Sequence, residues 1–483
     1  MLRYNLEGRA LMLFSEAVNI TVCDTDTWFD PILSVDTKLF IDPFLLYEFE
    51  FDEFVGSHEE VVGFFNFAFQ ALAQHLATES VHQKSIAQNM LVFPEIDWLC
   101  LGYSASGTKG AGSGKGFAAL IVDSILETIK LGKTSVEHFE EVSLLNEGFG
   151  ADRISDTVAN ILIKRFCLYT KRICYEKGVP TRNIIIRNGW FSVEDKQWRP
   201  FEASLPENPL TGLPVLLVPK KYLRDLPTIN TSDFWDYCWS NENETLRQQF
   251  GDDIKSRINK SEIIRFARRN TNIRNRYMEY TEEVGSKPYD FAKDKLGQVL
   301  WYGATKDYLA GKDLNLGFSN QDEFITAVLA IANEFKNFVE NQGGWKLLWN
   351  DGGKEKAEEA AQKLFLGILT HYCKANNIDV SGEANIGRGP VDFKVSQGFK
   401  LRALFELKKA NNTKFFNGIE KQLPTYLKAE GITHGFFMTF VFRDGEIKKT
   451  REIEEHVRTI LSPHCIIIPI TIDARKPDSA SKL

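Results

Sequence analysis

Cysteine is sparse and unorganised: seven thiols (Cys23, Cys100, Cys167, Cys174, Cys238, Cys373, Cys465) are scattered along 483 residues, with no CxxC pair and no histidine at zinc-ligand spacing. An odd, dispersed set excludes a disulfide framework and a structural zinc site and points to a reduced, cytoplasmic chain. Long apolar runs are also missing. The longest, CIIIPITI and GFFMTFVF, are strand-length, far short of the roughly 20 residues that span a bilayer. The opening MLRYNLEGRALMLFSEAV is interrupted by Glu7, Arg9 and Glu16, which excludes the apolar core of a signal peptide. No internal repeat is found. A strong charge bias is absent as well: the net charge of −7 excludes a protein coated in basic surface.

What is present is enough apolar material, 43% of the chain, for two or three domains with their own cores. The charge is uneven. From Asp351 to Leu483 there are 21 Lys and Arg against 17 Asp and Glu, and before that point 37 against 48. The C-terminal segment can therefore face phosphate although the whole chain cannot.

Residues 1–285 mix strand-like runs (LFIDPFLL, IDWLCLGY, NIIIRNGWF, LPVLLVP) with helical ones (HEEVVGFFNFAFQALAQHL, SDTVANILIKRFCLYTKRICYEKG), the pattern of an α+β recognition or regulatory region. Residues 286–349 read as a helical connector, with NQDEFITAVLAIANEFKNFVEN as one amphipathic helix and the two glycine pairs of GGWKLLWNDGG marking a boundary. Residues 350–483 then punctuate clearly. A helix from Glu355 to about Asn376 is followed by strands near Ile378–Ala384, Val391–Val395 and Leu401–Lys408. A helix from Phe415 to Ala429, a strand His434–Phe442, a helix near Ile453–Leu461 and a strand Cys465–Ile472 complete it. The order αβββαβαβ suits an α/β fold with a mixed sheet flanked by helices.

In VDFKVSQGFKLRALFELKK, Asp392 lies on one strand and Glu406 with Lys408 on the next. Positions i and i+2 of a strand share a face, so Glu406 and Lys408 point the same way. A two-residue turn at Gln397-Gly398 would put Glu406 on the face opposite Asp392. A three-residue loop centred on Gly398 pairs Asp392 with Leu404 and makes Glu406 a same-face diagonal neighbour. Two carboxylates converging with a lysine suit phosphodiester hydrolysis, because the acids can hold Mg²⁺ or Mn²⁺ while the ammonium stabilises the nucleophile and the developing charge.

These residues resemble the PD-(D/E)XK nuclease superfamily. Pro390 precedes Asp392 in GPVDF, Glu406-Leu407-Lys408 supplies the E-x-K, and Gln422 with Tyr426 in EKQLPTYLK is similar to the QxxxY motif of the RecB-like branch. Pro424 stands between them, where the interior of a helix would lose a hydrogen bond and bend. The resemblance, which covers about a quarter of the chain, implies a restriction-endonuclease-like αβββαβ core. It implies metal binding by Asp392, Glu406 and the Leu407 carbonyl, with Lys408 handling the water and Gln422 and Tyr426 bracing the site. It also implies an acid on the opening helix that joins the catalytic and metal-binding set, for which Glu358 is the choice. Glu358 lies at the edge of that helix's apolar face, whereas Glu355 and Glu359 fit a charged first turn. Glu383 is a further acid near the strands, and Arg388 and Lys409 are placed to meet phosphate. The implied partner is nucleic acid, DNA ahead of RNA, in restriction or anti-phage defence. A homo-oligomer or a defence-system partner protein is compatible with this, and no membrane is. A nuclease fold that binds nucleic acid without cutting, or one that cuts RNA, is the competing expectation.

Other motifs are weaker. GTKGAGSGKGFAALIVDSIL occupies a strand-to-helix position but is not a Walker A loop: Lys109 stands where its first glycine is required, and Gly116 replaces the Ser/Thr. No ATP hydrolysis is expected there, and Lys115 is left as a contact for nucleic-acid backbone or as plain surface. The Arg-rich KSRINKSEIIRFARRNTNIRNRY offers Arg265, Arg268 and Arg269 to phosphates, against the plainer reading of a solvated helix face. Asp24, Asp26, Asp30, Asp36 and Asp42 read as turn and cap residues, and Ser155 or Asp156 as an N-cap.

Overall fold

The computed structural model describes residues 11–47, 50–94, 96–102, 115–145, 149–242, 258–385, 390–460, 462 and 465–477. The chain divides into two compact units, Met12–Tyr289 and Asp290–Leu483 with Met1–Leu11. Residues 286–349, expected as a connector, do not stand apart: from Asp290 onward they belong to the C-terminal unit.

The N-terminal unit is mainly helical. Ser57–Thr78 and the pair Ala151–Ile161 and Ile163–Lys177 form where the apolar periodicity predicts helices. Among the described residues its strands are a long hairpin, Arg182–Ser192 with Gln197–Leu205, and a short pair, Phe40–Ile41 with Leu223–Arg224. IDWLCLGY and LPVLLVP, expected as strands, make only isolated bridges such as Thr37–Leu101 and Glu207–Pro214. Ile96, Leu99 and Leu101 of the first and Val215–Val218 of the second are buried in the core all the same, so these runs supply burial without ladder pairing. The Ala151–Ile161 helix begins ahead of Ser155, which is therefore no N-cap. Its hydroxyl instead accepts the backbone N–H of Ile41 at 3.0 Å.

In the C-terminal unit, helices α1 (Leu300–Leu309), α2 (Gln321–Asn341) and α3 (Glu358–Ala375) precede strands β1 (Asp379–Asn385), β2 (Pro390–Gln397) and β3 (Leu401–Lys409). Helix α4 (Leu423–Glu430), strand β4 (His434–Val441), helix α5 (Ile447–Ile460) and strand β5 (Ile466–Asp473) follow. The five strands form one mixed sheet in sequence order, with β1, β2 and β3 antiparallel and β3, β4 and β5 parallel. Parallel neighbours need crossovers, and α4 and α5 supply them.

Alternation decides what each face buries. Phe393, Phe405, Phe436 and Phe440 share one face and meet Phe365 of α3 and Phe335 of α2, with ring centroids 4.8–6.0 Å apart. Leu404, Phe437 and Ile467 share the other and pack with Ile419, Leu423 and Leu427 around α4 and with Ile453 and Val457 of α5. The result is a helix–sheet–helix sandwich. Helix α1 crosses α3 so closely that a Cβ on Gly367 would lie 2.3 Å from Thr305 Oγ1, so only glycine fits there.

Candidate active site

The site lies where β2 parts from β3. The antiparallel ladder runs from Gln397–Leu401 to Phe393–Phe405 around the loop Gly398-Phe399-Lys400. The loop has the expected three residues, but it begins at Gly398, whose φ of +62° favours glycine. Leu404 is consequently opposite Lys394 instead of Asp392. The register is two residues on from the expected one, the parity is kept, and its continuation sets Asp392 against Glu406.

Beyond Phe393 the backbone ladder gives way to side chains. Asp392 Oδ2 accepts the N–H of Leu407 at 2.6 Å, and Oδ1 accepts from Gln362 Nε2 at 2.8 Å. Two residues along the same strand edge, the N–H of Lys409 donates to Glu358 Oε2 at 3.0 Å. N–H groups alternate in direction along a strand, so the two carboxylates satisfy the donors that β2 leaves behind. The carbonyl of Leu407 lies on that same edge.

On the face of β3 shared with Leu404, Lys408 Nζ lies 3.0 Å from Glu406 Oε1 and 3.1 Å from Glu358 Oε1. Glu406 is 2% exposed, and its other oxygen, Oε2, has no hydrogen-bond partner among the described residues. Burial first, and then the charge of Glu406, push the Asp392 carboxyl up to about 8, partly offset by Lys408 and the Leu407 N–H. Burial likewise raises Glu406 against the pull of Lys408. Burial works to lower the Lys408 ammonium, but Glu406, Asp392 and Glu358 outweigh it and hold it above the ordinary lysine value. The site is thus a crowded set of acids around the Lys408 ammonium, short of positive charge.

Among the described residues no group of three or more His, Cys, Asp or Glu side chains is arranged to hold a metal ion. Lys408 lies between Glu358 and Glu406, which leaves the partnerless oxygen of Glu406 and the carboxylate of Asp392 as the acceptors still short of charge. Mg²⁺ commonly takes one or two carboxylates and keeps several waters. A two-acid donor set with an orphaned buried oxygen fits such an ion.

Tyr426 is buried in the Leu404 cluster, and burial and the nearby Glu406 raise its hydroxyl above the usual tyrosine value. Gln422, half-buried, ends a π-helical turn, Gly418–Gln422, that leads into α4. That turn resolves the difficulty of Pro424, which falls in the first turn of α4, where a missing N–H costs no helical bond. Gly418 lies against the site: a Cβ there would be 3.0 Å from Phe437 Cε2 and 3.5 Å from Lys408 Cγ.

Other expected residues lie elsewhere. Lys409, expected at phosphate, turns inward: its ammonium donates to the Lys356 carbonyl at 3.0 Å and lies 3.7 Å from Glu355, because the chain ahead of α3 fills the edge that β2 vacates. Glu355 precedes α3 and also pairs with Arg443 at 2.7 Å. Arg388 and the side chains of Glu383 and Lys115 lie outside the described residues, as do residues 103–114 of the Gly-rich loop. In the N-terminal unit Arg265 and Arg269 are exposed on the helix Lys260–Arg269, but Arg268 Nε donates to the Leu145 carbonyl at 2.6 Å. Arg274 is buried against Glu141 at 2.9 Å and Arg276 pairs with Glu242 at 2.7 Å, so much of that basic stripe is tied to internal partners.

The residue that sequence reasoning missed is Gln362. Its one signal was its position four residues after Glu358, one turn along the same helix face. Asp26 and Asp42 take cap and turn bonds as expected, whereas Asp30 accepts both the backbone N–H and the hydroxyl of Ser15, fifteen residues away, and Asp36 and Asp152 meet at Gly102, where a Cβ would stand 3.4 and 2.7 Å from their oxygens.

Residues 18–230 match a family model described as Domain of unknown function (DUF8370), and residues 324–444 match one described as Domain of unknown function (DUF8371). No curated protein matches the chain, and no solved structure does.

Proposed function

We propose that the C-terminal unit is a metal-dependent nuclease of the PD-(D/E)XK kind that hydrolyses phosphodiester bonds, and that its mixed sheet is the restriction-endonuclease-like core. The observation that carries this reading is the convergence of Asp392, Glu406 and Glu358 around Lys408 at the point where β2 leaves β3. The buried, unpartnered Glu406 oxygen and the crowding of acids that pushes the Asp392 carboxyl up support a functional reading of this cluster.

Asp392, Glu406 and the Leu407 carbonyl would hold Mg²⁺ or Mn²⁺. When bound, the ion supplies Lewis-acid polarisation of the phosphate and a water of lowered pKa. Lys408 would orient the attacking oxygen and stabilise charge on the phosphate. Glu358 positions Lys408, and Gln362 positions Asp392. Tyr426 would brace the site from the α4 side, with Gln422 one turn before it on the chain. The resemblance to the family favours DNA as substrate and restriction or anti-phage defence as setting. Incubation of the purified chain with labelled single- and double-stranded DNA and RNA tests the reading. Cleavage in Mg²⁺ or Mn²⁺ that stops in EDTA supports it, and no cleavage of any substrate with either ion contradicts it.

A further inference from the structure

The N-terminal unit contains a recess of about 1020 Å³, at the upper end of the range for sites that enclose one small molecule. Its lining brings two rings, Phe44 and Tyr47, together with three cations, Lys221, Arg224 and Lys287. Tyr47 is 45% exposed, and its ring stacks on His58 with centroids 3.5 Å apart, so an aromatic plate is held in place from behind. Burial, aided by His138, lowers His58 to about 4, which leaves that imidazole neutral under physiological conditions. Phe44 is stacked in turn on His138 at 5.6 Å.

The cations are differently placed. Arg224 is fixed from the protein side: one nitrogen donates to Thr228 Oγ1 at 2.9 Å and to Ser286 Oγ, and Nε lies 3.9 Å from the fully buried Asp42. Lys221 lies 3.0 Å from Glu50, whose side chain is more than half exposed. Lys287 is exposed at the rim. One acid, Glu282, shares the lining, with its carboxylate 2.7 Å from His138 Nε2.

We propose that this recess binds a free nucleotide, a nucleoside polyphosphate whose base stacks on Tyr47 and whose phosphates meet Arg224, Lys221 and Lys287. A preorganised exposed ring favours a planar π-system. Of the lining residues three are cations and one, Glu282, is an acid, while Glu50 and the buried Asp42 partly offset Lys221 and Arg224 from outside the lining; the fixed guanidinium favours phosphate geometry in particular. A bounded recess suits one small molecule better than a strand, which needs a groove that follows its backbone. The inference is independent of the nuclease reading, and it is one of binding without hydrolysis.

The test is a fluorescence titration of the full chain with a mant-labelled ATP in EDTA, with unlabelled ATP as competitor. Saturable, competed binding is expected, weakened at least about tenfold by Tyr47→Ala and by Lys287→Glu but not by Lys171→Glu, an exposed charge reversal elsewhere on this unit. Thermal melting checks that each variant is folded. Should Tyr47→Ala melt early, the exposed Lys287→Glu carries the test alone. No saturation below about 1 mM probe, binding unchanged in Lys287→Glu, or stronger displacement by a 5′-phosphorylated oligonucleotide than by ATP would each overturn the proposal.

Discussion

Replacing Asp392 by Asn isolates the electrostatic strain of the site. In the folded chain burial and Glu406 push the Asp392 carboxyl from its ordinary value near 3.8 to about 8. Between those values the native state binds a proton that the unfolded state has released, so stability must fall as pH rises through that window. For one group the slope is bounded at about 1.4 kcal/mol per pH unit, and sharing of the proton with Glu406 makes the observed slope smaller. Asp392→Asn keeps the shape and removes the charge. In EDTA the variant should show a shallower slope between pH 5 and 8, with Glu140 and Glu406 supplying what remains, and be more stable than the wild type at pH 8, by on the order of 1 kcal/mol. Divalent metal acts oppositely. Binding requires the ionised carboxylate, so wild-type affinity should rise by up to about tenfold per pH unit until about pH 8, and the variant should lose that dependence. Urea unfolding at four pH values, with and without Mg²⁺, reads both effects. Equal pH slopes in wild type and Asp392→Asn would refute the reasoning.

Gln362→Ala frees Asp392 Oδ1 and, as a loss of a group that orients a ligand, should weaken Mn²⁺ binding about 10- to 100-fold, as measured by calorimetry, while leaving the melting temperature near that of the wild type. Gly367→Ala drives a methyl group to within 2.3 Å of Thr305 Oγ1 and should destabilise the C-terminal unit by roughly 1–3 kcal/mol, seen as a lower urea midpoint. If the exposed Arg265 and Arg269 hold substrate, replacing both by Ala in an Asp392→Ala background should lower the slope of log affinity against log salt by about 0.7–0.9 for each phosphate no longer neutralised, and an unchanged slope assigns them to a solvated helix face.

Local patterning makes the C-terminal unit readable. Short apolar segments bounded by glycine and charge, such as Leu401–Lys409 behind the positive-φ Gly398, leave little freedom in the element order. The parity of the β2–β3 hairpin is also legible, because only an odd loop puts Asp392 and Glu406 on one face. Its register is not: Gln397 stays in the strand opposite Leu401, a choice made by the packing of Val395 and Ala403 in the core. Beyond its place one turn after Glu358, Gln362 is not marked in the sequence, because its bond to Asp392 depends on how α3 docks on the sheet, which joins residues 30 positions apart. The N-terminal runs IDWLCLGY and LPVLLVP mislead for a related reason. Apolar, β-branched segments satisfy burial equally well without a ladder, and only tertiary context decides.

Cleavage by Asp392→Ala, Glu406→Ala and Lys408→Ala beside the wild type, on labelled DNA and RNA with Mg²⁺ or Mn²⁺, tests the central claim most directly. The account predicts that each substitution abolishes metal-dependent cleavage while the circular dichroism spectrum stays that of the folded chain, since all three side chains converge on one place and none anchors the aromatic core. Cleavage at near wild-type rate in any two of the three would contradict it.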